Sequence, residues 1–322
     1  MPYPILDARW LTPNVRWLEV RAPHVVRNYQ AGQFVILRAT EAGERIPLTV
    51  ADVDRRAGTI ELIVQAVGAT TRALCALQPG ETVLDLAGPL GHPTEVRFVG
   101  HAMVVGGGVG TAVIYPQARA LRAAGNRVTA IIGARTARDL ILQEQLAPFC
   151  DAVLPCTDDG SYGFHGMVTQ RLRQYIQRAV APPALVLCAG PVPMMRAVAA
   201  VTRPIGVKTI ASLNPIMVDG TGMCGGCRVR IGGEIKFACV DGPEFDAHAV
   251  DFTELAERLK AYREHEWRAT ERRAIAVAAV AADGCGAAAA AANAATADAA
   301  TVDAATVDAA AADAAAAAGG RR

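Results

Sequence analysis

The chain has 322 residues, of which 52% are hydrophobic, and its formal net charge is +1. This length predicts about two or three domains with large cores. A charge this close to zero argues against nucleic acid or an acidic membrane as the partner. The first residues lack the pattern of a secretory signal, and the largely apolar run of residues 102–116, which contains four glycines, is too short to span a bilayer. We therefore expect a soluble, cytoplasmic protein, in which the eight cysteines are metal ligands or free thiols rather than disulfides.

Residues 1–96 read as a series of strands. The runs VRWLEVRAP and GQFVILRAT are followed by LTVADVDRRAGTIELIVQAV, in which two β-rich segments flank a turn. No convincing amphipathic helix interrupts these runs. This pattern predicts a small antiparallel β-barrel.

Residues 97–209 have a different sequence pattern, in which short apolar strands alternate with helices. The five strand patterns are HAMVV, RVTAIIG, DAVLPC, ALVLC and VKTIA. Such alternation is typical of a doubly wound α/β fold with a five-stranded parallel sheet that binds a nucleotide.

The rest of the chain divides into three segments. Residues 210–250 contain a compact cysteine-rich loop, and residues 251–276 have the charged pattern and apolar stripe of a helix. Residues 277–322 are an alanine-rich, low-complexity tail without a large apolar face, for which we expect a solvated helix or disorder and no catalytic role.

Three turns of the second segment are expected to meet at the carboxyl edge of its sheet, where such folds bind ligands. The first follows a strand and opens a helix, so that its backbone amides can approach a pyrophosphate. The residues proposed to bind the nucleotide are Gly106, Gly107, Gly108, Gly110, Thr111, Asp158, Cys188, Gly190 and Pro191. A glycine-rich turn without a ligand is the alternative, because the pattern departs from G-x-G-x-x-G.

Arg135 follows the second strand of this sheet. It could meet the 2′-phosphate of NADP, but an arginine here also fits an exposed helix start. The choice between NAD and NADP is therefore left open by the residues.

Two motifs of the first segment fit a flavin nucleotide. Arg45 and Thr49 lie on one predicted strand, where the cation could bind a phosphate and the hydroxyl could donate to a flavin ring nitrogen. Gly68 and Thr71 belong to a small loop before a helix, a second phosphate cradle. Either motif alone is weak, because Arg and Thr on a barrel strand are ordinarily surface residues.

The strongest signal for chemistry is the set Asp219, Cys224, Cys227 and Cys239. Its spacing is that of a plant-type 2Fe-2S ferredoxin loop, with an aspartate in place of the first cysteine. The residues between the ligands are nearly all small, as a backbone wrapped around inorganic sulfide requires. A structural zinc site and a redox-active dithiol are alternatives, and Asp219 could be a bystander beside three cysteine ligands.

Together these motifs resemble the ferredoxin-NADP reductase superfamily with a C-terminal cluster. The segments GERIPLT, VVGGGVG, CTDDGSYG and SLNPIMVDGTGMCGGCRV are similar to the small (alpha) subunits of NADH-dependent reduced ferredoxin:NADP oxidoreductases. These are also known as sulfide dehydrogenase small subunits, and they are kin to the electron-transfer subunits of dihydroorotate dehydrogenase. The resemblance covers residues 3–260 but not the tail.

The resemblance implies specific roles. Arg45, Pro47, Leu48 and Thr49 would form the FAD strand motif, and Gly68 and Thr71 the FAD pyrophosphate loop. The first cluster ligand is Cys in the dihydroorotate relatives and Asp in the ferredoxin:NADP enzymes. Asp219 therefore distinguishes between these two groups and matches the second.

The implied function is an electron-transfer subunit that moves electrons between NAD(H), FAD and a 2Fe-2S cluster. No side chain need be an acid or base in this chemistry. The implied partner is a larger subunit with flavin and 4Fe-4S clusters that resembles the glutamate synthase small subunit and handles NADP and ferredoxin, in some cases with electron bifurcation. The alternatives are the electron-transfer subunit of dihydroorotate dehydrogenase, a sulfide dehydrogenase or glutamate synthase-like complex, and a non-catalytic binding module.

Overall fold

The structure, a computed structural model, describes residues 3–41, 43–262 and 264–271. Its first part is an antiparallel sheet with two helices. The strands are β1 (Tyr3–Thr12), β2 (Val15–Arg21), β3 (Phe34–Arg38), β4 (Ile46–Asp54), β5 (Thr59–Gln65), β6 (Thr82–Val83) and β7 (Asp85–Leu90), and the helices are α1 (Pro23–Asn28) and α2 (Ala69–Ala76).

This sheet has the strand order β6-β1-β2-β5-β4-β3-β7. Its two edge strands, β6 and β7, are separated in the chain only by Leu84. The sheet therefore curls until its edges come together, which gives the nearly closed barrel that the sequence predicts.

Strand β3 is buried on both of its faces. Val35 and Leu37 point into the barrel core, whereas Phe34 and Ile36 belong to a second core shared with the residues that follow the barrel. This is the alternation of side chains along a strand. The wall of the barrel that carries β3 is thus also an internal wall of the whole protein.

Helix α1 differs from the expectation that no helix interrupts the barrel strands. Pro23 occupies its first turn, and only Val25 and Val26 are buried. Six residues are too few to produce a helical hydrophobic period, so the sequence gives no clear signal for this element.

The second part contains β8 (His101–Gly107), α3 (Gly110–Ala123), β9 (Arg127–Ala134), α4 (Gln143–Leu146), β10 (Ala152–Thr157), β11 (Phe164–His165), α5 (Val168–Arg178), β12 (Leu185–Ala189), α6 (Val192–Thr202) and β13 (Lys208–Ser212). It is followed by a hairpin of β14 (Arg228–Ile231) and β15 (Glu234–Phe237), then α7 (Ala238–Asp241), β16 (Glu244–Asp246) and α8 (Phe252–Lys260). Residues 264–271 are also helical.

The second sheet has the order β11-β10-β9-β8-β12-β13-β16. The first six strands are parallel, and β16 pairs antiparallel with β13. The five predicted strands form its centre and confirm the doubly wound fold. Helix α3 covers one face of the sheet and α5 and α6 the other, so the strands are buried on both sides.

Glu244, on β16, joins the parts of the molecule. Its Oε1 accepts hydrogen bonds from Thr94 Oγ1, in the segment between the two sheets, and from Gln117 Nε2 of α3, each at 2.6 Å. Desolvation at this junction raises the pKa of the Glu244 carboxyl, and the two hydrogen bonds oppose the rise.

The predicted domain boundaries stay predictions, although β16, from the predicted cluster segment, is part of the second sheet. The helix predicted over residues 251–276 is seen as α8 and the helical residues 264–271, and its end lies outside the described residues, as does the predicted tail 277–322. Across the described part of the chain, none of the helices has the length and apolarity needed to cross a membrane.

Candidate functional site

The strand order of the second sheet reverses between β8 and β12. The turn after β8 and the turn after β12 lie against each other here. A Cβ on Gly110 would overlap the Ala189 carbonyl, and a Cβ on Gly190 would lie 3.1 Å from the Gly107 carbonyl oxygen. Ligands of open α/β sheets bind at such a switch point.

The glycines of the first turn have different roles. Gly106 packs against the start of α3, where an added Cβ would lie 2.8 Å from the Thr111 Cα. Gly108 has a φ of +54°, and nothing lies within 4 Å of the position of its missing Cβ. The turn therefore presents bare backbone, at the positive end of the α3 dipole, to a ligand with phosphate groups.

Three other predicted nucleotide residues differ in exposure. Thr111 is buried, and its amide donates to the Gly108 carbonyl oxygen at 3.1 Å. Cys188 lies within the shared core, and its burial raises the pKa of the thiol to about 12. Pro191 is exposed at the start of α6. The structure therefore brings the two turns together but gives Cys188 a packed, neutral thiol.

Met194 was missed by the sequence analysis. Its side chain lies against both turns, because Cβ atoms added to Gly107 and Gly190 would each meet its thioether end. The position of this side chain depends on tertiary packing, and the only signal in the sequence is its place in the first turn of the helix after β12.

Asp158 lies at the carboxyl edge of the same sheet, directly after β10. Its amide donates to the Ala134 carbonyl oxygen at 3.1 Å, which places it beside Arg135 at the end of β9. Partial desolvation raises the pKa of the Asp158 carboxyl, and the charge of Arg135 opposes this rise.

The predicted FAD strand motif is on β4, at the edge of the shared core. Pro47, Leu48 and Thr49 are half-buried, whereas Arg45 is exposed one residue before the strand begins. Strand β3 runs alongside with Ile36 opposite Pro47 and Phe34 opposite Thr49. An exposed guanidinium and a half-buried hydroxyl fit the two ends of a flavin nucleotide, a phosphate and a polar ring edge.

The predicted pyrophosphate loop opens helix α2. Thr71 Oγ1 accepts hydrogen bonds from the amides of Val67 at 3.1 Å and Gly68 at 2.9 Å, and so fixes the loop. The position of a Cβ on Gly68 has only this hydroxyl within 4 Å. Because the first amides of a helix have no partner inside it, the loop fits a phosphate. Thr71 shapes this cradle through its side chain.

The four candidate cluster ligands form two pairs. The Sγ atoms of Cys227 and Cys239 are 3.2 Å apart and buried. Asp219 lies beside Cys224, whose amide donates to the aspartate Oδ2 at 2.9 Å. Within the described residues, no three or more His, Cys, Asp or Glu side chains are placed for a single metal ion. A cluster of two irons takes two protein ligands on each iron, so the donor set fits it.

The Asp219 carboxylate is held by its own loop. Besides the Cys224 amide it accepts the Thr221 amide, through Oδ1 at 2.9 Å, and these hydrogen bonds lower the pKa of Asp219. Each carboxylate oxygen has two lone pairs, so both oxygens retain one for a metal. The Asp219 side chain is thus charged and fixed at the position of the first ligand.

Backbone amides also point at the thiols. Gly226 N donates to Cys224 Sγ and Cys239 N to Cys227 Sγ, each at 3.5 Å. Burial and the hydrogen bond with Cys227 raise the pKa of Cys239 to about 12. Thiolates must therefore be stabilised by a bound metal at this position, since the protein alone favours the thiol.

The cluster loop touches the barrel through Gly220. A Cβ added there would lie 2.7 Å from Leu90 Cδ1 on β7 and 3.0 Å from Ile36 Cδ1 on β3. Since Ile36 is opposite Pro47 of the FAD strand motif, only one strand separates that motif from the residue next to Asp219.

Two parts of the chain match known protein families. Residues 2–94 match an oxidoreductase FAD-binding domain, and residues 214–251 match the iron-sulfur cluster binding domain of dihydroorotate dehydrogenase B. The chain is therefore an electron-transfer oxidoreductase subunit of the ferredoxin-NADP reductase type, with domains for FAD and for an iron-sulfur cluster.

Individual relatives specify the family. A homologue of the dihydroorotate dehydrogenase B (NAD⁺) electron transfer subunit from Thermotoga maritima is 47% identical over 77% of this chain and 86% of its own. The corresponding subunit of Geobacillus thermodenitrificans is 32% identical over 76% of this chain and 96% of its own. The chain belongs to the family of dihydroorotate dehydrogenase B electron-transfer subunits and their homologues.

A solved structure of NADH-dependent reduced ferredoxin-NADP oxidoreductase is also similar. It is 43% identical, with a TM-score of 0.80, over 84% of this chain and 98% of that chain. A ferredoxin reductase of carbazole 1,9a-dioxygenase, 22% identical with a TM-score of 0.56 over 64% of this chain and 66% of that chain, shares the fold. The predicted superfamily, fold and cofactor domains are thus confirmed.

Proposed function

We propose that this chain is a cytoplasmic electron-transfer subunit that connects NAD(H) with a larger partner subunit. Bound FAD would supply the conversion between a two-electron hydride and the single electrons that a 2Fe-2S cluster accepts. The residues of the chain bind and orient these groups and need not transfer protons themselves. The free state of the seven described cysteines fits a reducing compartment.

The observation that carries this proposal is the contact of Gly220 with Ile36 and Leu90. Strand β3 has the predicted flavin strand on one side and β7 on the other, and the loop that follows Asp219 packs against both β3 and β7. Electron transfer between two groups requires that the protein hold them close together. This close packing supports a direct route from the barrel to the cluster loop.

The nucleotide residues have proposed roles that follow from their positions. Gly106, Gly107, Gly108, Gly110, Thr111, Gly190 and Pro191 would form the NAD(H) crevice, with Asp158 at its far edge and Cys188 packed behind it. Arg45, Pro47, Leu48, Thr49, Gly68 and Thr71 would hold FAD, and Asp219, Cys224, Cys227 and Cys239 the cluster.

The proposed partner is a larger flavin and 4Fe-4S subunit that resembles the glutamate synthase small subunit and serves ferredoxin. The similarity to NADH-dependent reduced ferredoxin-NADP oxidoreductase and the presence of Asp219 support this choice. Cys224 is exposed while Cys227 and Cys239 are buried, so one ligand pair lies on the surface. Electrons could leave the cluster on that side.

The test is purification of the full chain with iron, sulfide and FAD supplied. We expect flavin absorption, a 2Fe-2S paramagnetic signal after reduction, and NADH oxidation with an artificial acceptor. Cys227→Ala should lose the paramagnetic signal but keep FAD and acceptor reduction. A chain that shows neither flavin bands nor a cluster signal would refute the proposal.

A second candidate is the electron-transfer subunit of dihydroorotate dehydrogenase. The match of residues 214–251 to the iron-sulfur domain of that enzyme favours it. Isolation of the native complex separates the two candidates, because one partner would bind dihydroorotate and the other would carry 4Fe-4S clusters.

A further inference from the structure

Helix α8 is fixed at its start and along one side. The Asp251 carboxylate caps its N-terminus by accepting the amides of Thr253 at 3.0 Å and Glu254 at 2.9 Å. Phe252 and Leu255 are buried in the core that the barrel shares with the residues after it. Because the helix cannot turn about its axis, its other side chains are held in defined directions.

Two side chains of α8 hold the cluster segment at two points. Glu254 and Arg258 are four residues apart, so they lie on one face of the helix. Glu254 Oε2 accepts a hydrogen bond from Arg230 Nε of β14 at 2.6 Å. Arg258 Nη2 donates to the Gly226 carbonyl oxygen at 3.1 Å. The helix therefore binds both β14 and the turn that leads into it.

Gly226 lies between two of the candidate cluster ligands. Its amide donates to Cys224 Sγ at 3.5 Å, and its carbonyl belongs to the peptide that joins it to Cys227. A restraint on Gly226 is therefore a restraint on both ligands, on Cys224 through the hydrogen bond and on Cys227 through the chain. Arg258 supplies such a restraint from a helix that lies outside the ligand loop.

A second cation lies at the same turn. A Cβ on Gly225 would be 3.0 Å from Arg228 Nη1, and Arg228 and Arg258 line one surface groove together with Gly226. Arg228 is exposed, whereas Arg258 is half-buried, so water screens the charge of Arg258 less. Two positive charges thus lie beside the ligand turn, and that of Arg258 is bound to its backbone.

We propose that Arg258 is a positioning residue for the 2Fe-2S cluster, which holds the turn between two ligands and raises the reduction potential of the cluster through its charge. Reduction adds one negative charge to a cluster, so a nearby cation stabilises the reduced form more than the oxidised form. The hydrogen bond to Gly226 limits the motion of the turn and so slows the loss of iron. The inference rests on the proposed function, because it assumes that the four candidate ligands bind the cluster.

The test compares Arg258→Gln with the matched control Arg230→Gln in the full chain loaded with iron, sulfide and FAD. Both substitutions remove one cation and one contact between α8 and the cluster segment, but only the first reaches the ligand turn. A redox titration followed by paramagnetic resonance measures the midpoint potential. The absorbance after addition of an iron chelator measures the rate of cluster loss.

For Arg258→Gln we expect the midpoint potential to fall by the equivalent of about a two- to fivefold change in the reduction equilibrium, the range for one half-exposed charge interaction. The rate of cluster loss should rise about two- to tenfold, the range for one hydrogen bond. Arg230→Gln should lower the free energy of unfolding but change the potential and the rate of cluster loss less. Arg230 is paired with Glu254 and lies three residues after Cys227, about 10 Å along an extended chain, where salt screens its charge.

Arg258→Lys separates the inference from a general loss of structure. It keeps the charge and a donor, so its potential and its rate of cluster loss should lie closer to those of the unmodified protein. Loss of the cluster in Arg258→Gln alone would also support the inference. An unchanged potential in Arg258→Gln, an equal fall in Arg230→Gln, or an Arg258→Lys variant that does no better than Arg258→Gln would overturn it. Failure of the proposed function is a separate result, since the unmodified protein would then show no 2Fe-2S signal.

Discussion

The contact of Gly220 with the barrel gives a prediction that can be worked through in numbers. In Gly220→Ala the new Cβ would lie 2.7 Å from Leu90 Cδ1. Carbon atoms prefer a separation of about 3.5–4.0 Å, so the loop or the barrel wall must move by about 1 Å. The backbone φ of +79° adds about 1–2 kcal/mol for a residue with a Cβ. Overpacking adds about 1–3 kcal/mol.

We therefore expect Gly220→Ala to lower the free energy of unfolding by about 2–5 kcal/mol. It should also slow electron transfer from the flavin to the cluster, because the displaced loop lies between them. Reduction of the flavin by NADH should stay unchanged, since the nucleotide crevice is not touched. The assays are denaturant unfolding of the reconstituted protein, and rapid mixing with NADH followed at flavin and cluster wavelengths.

Gly222→Ala is the matched control. Gly222 has a similar φ of +81°, but its Cβ would meet Val240 of the same segment rather than the barrel. It should cost about 1–2 kcal/mol and leave the transfer rate close to normal. If Gly220→Ala behaves like Gly222→Ala in both assays, the reasoning about the barrel contact is refuted.

Two further predictions concern carboxylates. Asp219→Cys should retain the cluster and lower its midpoint potential, because a thiolate donates more electron density to iron than a carboxylate does. A redox titration followed by paramagnetic resonance measures this potential. An unchanged potential would mean that Asp219 is not a ligand. Folding raises the pKa of the Glu244 carboxyl above its ordinary value of 4.5, so the protonated side chain stabilises the folded protein at low pH. This contribution to the free energy of unfolding is lost as the pH rises above that value. Glu244→Gln should remove this loss, so urea unfolding curves for the two proteins should diverge between pH 4.5 and neutrality, and parallel pH profiles would contradict the assignment.

The central elements of the fold could be predicted from the sequence because their patterns are local. The five parallel strands are apolar runs bounded by turns, and the spacing from Asp219 to Cys239 is a property of the chain alone. Strand β16 is three residues long and carries two acids. It is a strand only because the edge of β13 is available, so no local pattern identifies it.

Contacts between residues that are far apart in the chain could not be predicted from the sequence. The pairing of Ile36 with Pro47 and the approach of Gly220 to Ile36 depend on how the barrel and the cluster loop pack together. The neighbouring positions of Asp158 and Arg135 depend on the register of two strands that a helix separates. The motifs identified the candidate site residues. The distances between those residues could be obtained only from the tertiary structure.

The antiparallel strand β16 has a consequence for the synthesis of the protein. Until residues 244–246 leave the ribosome, β13 is an edge strand with unpaired amides and carbonyls, and such an edge can pair with another chain. The nucleotide-binding sheet is thus incomplete until the segment that carries the cluster ligands has been made. A nascent chain that stops before β16 leaves the β13 edge unpaired, so completion of the sheet depends on synthesis of the cluster segment.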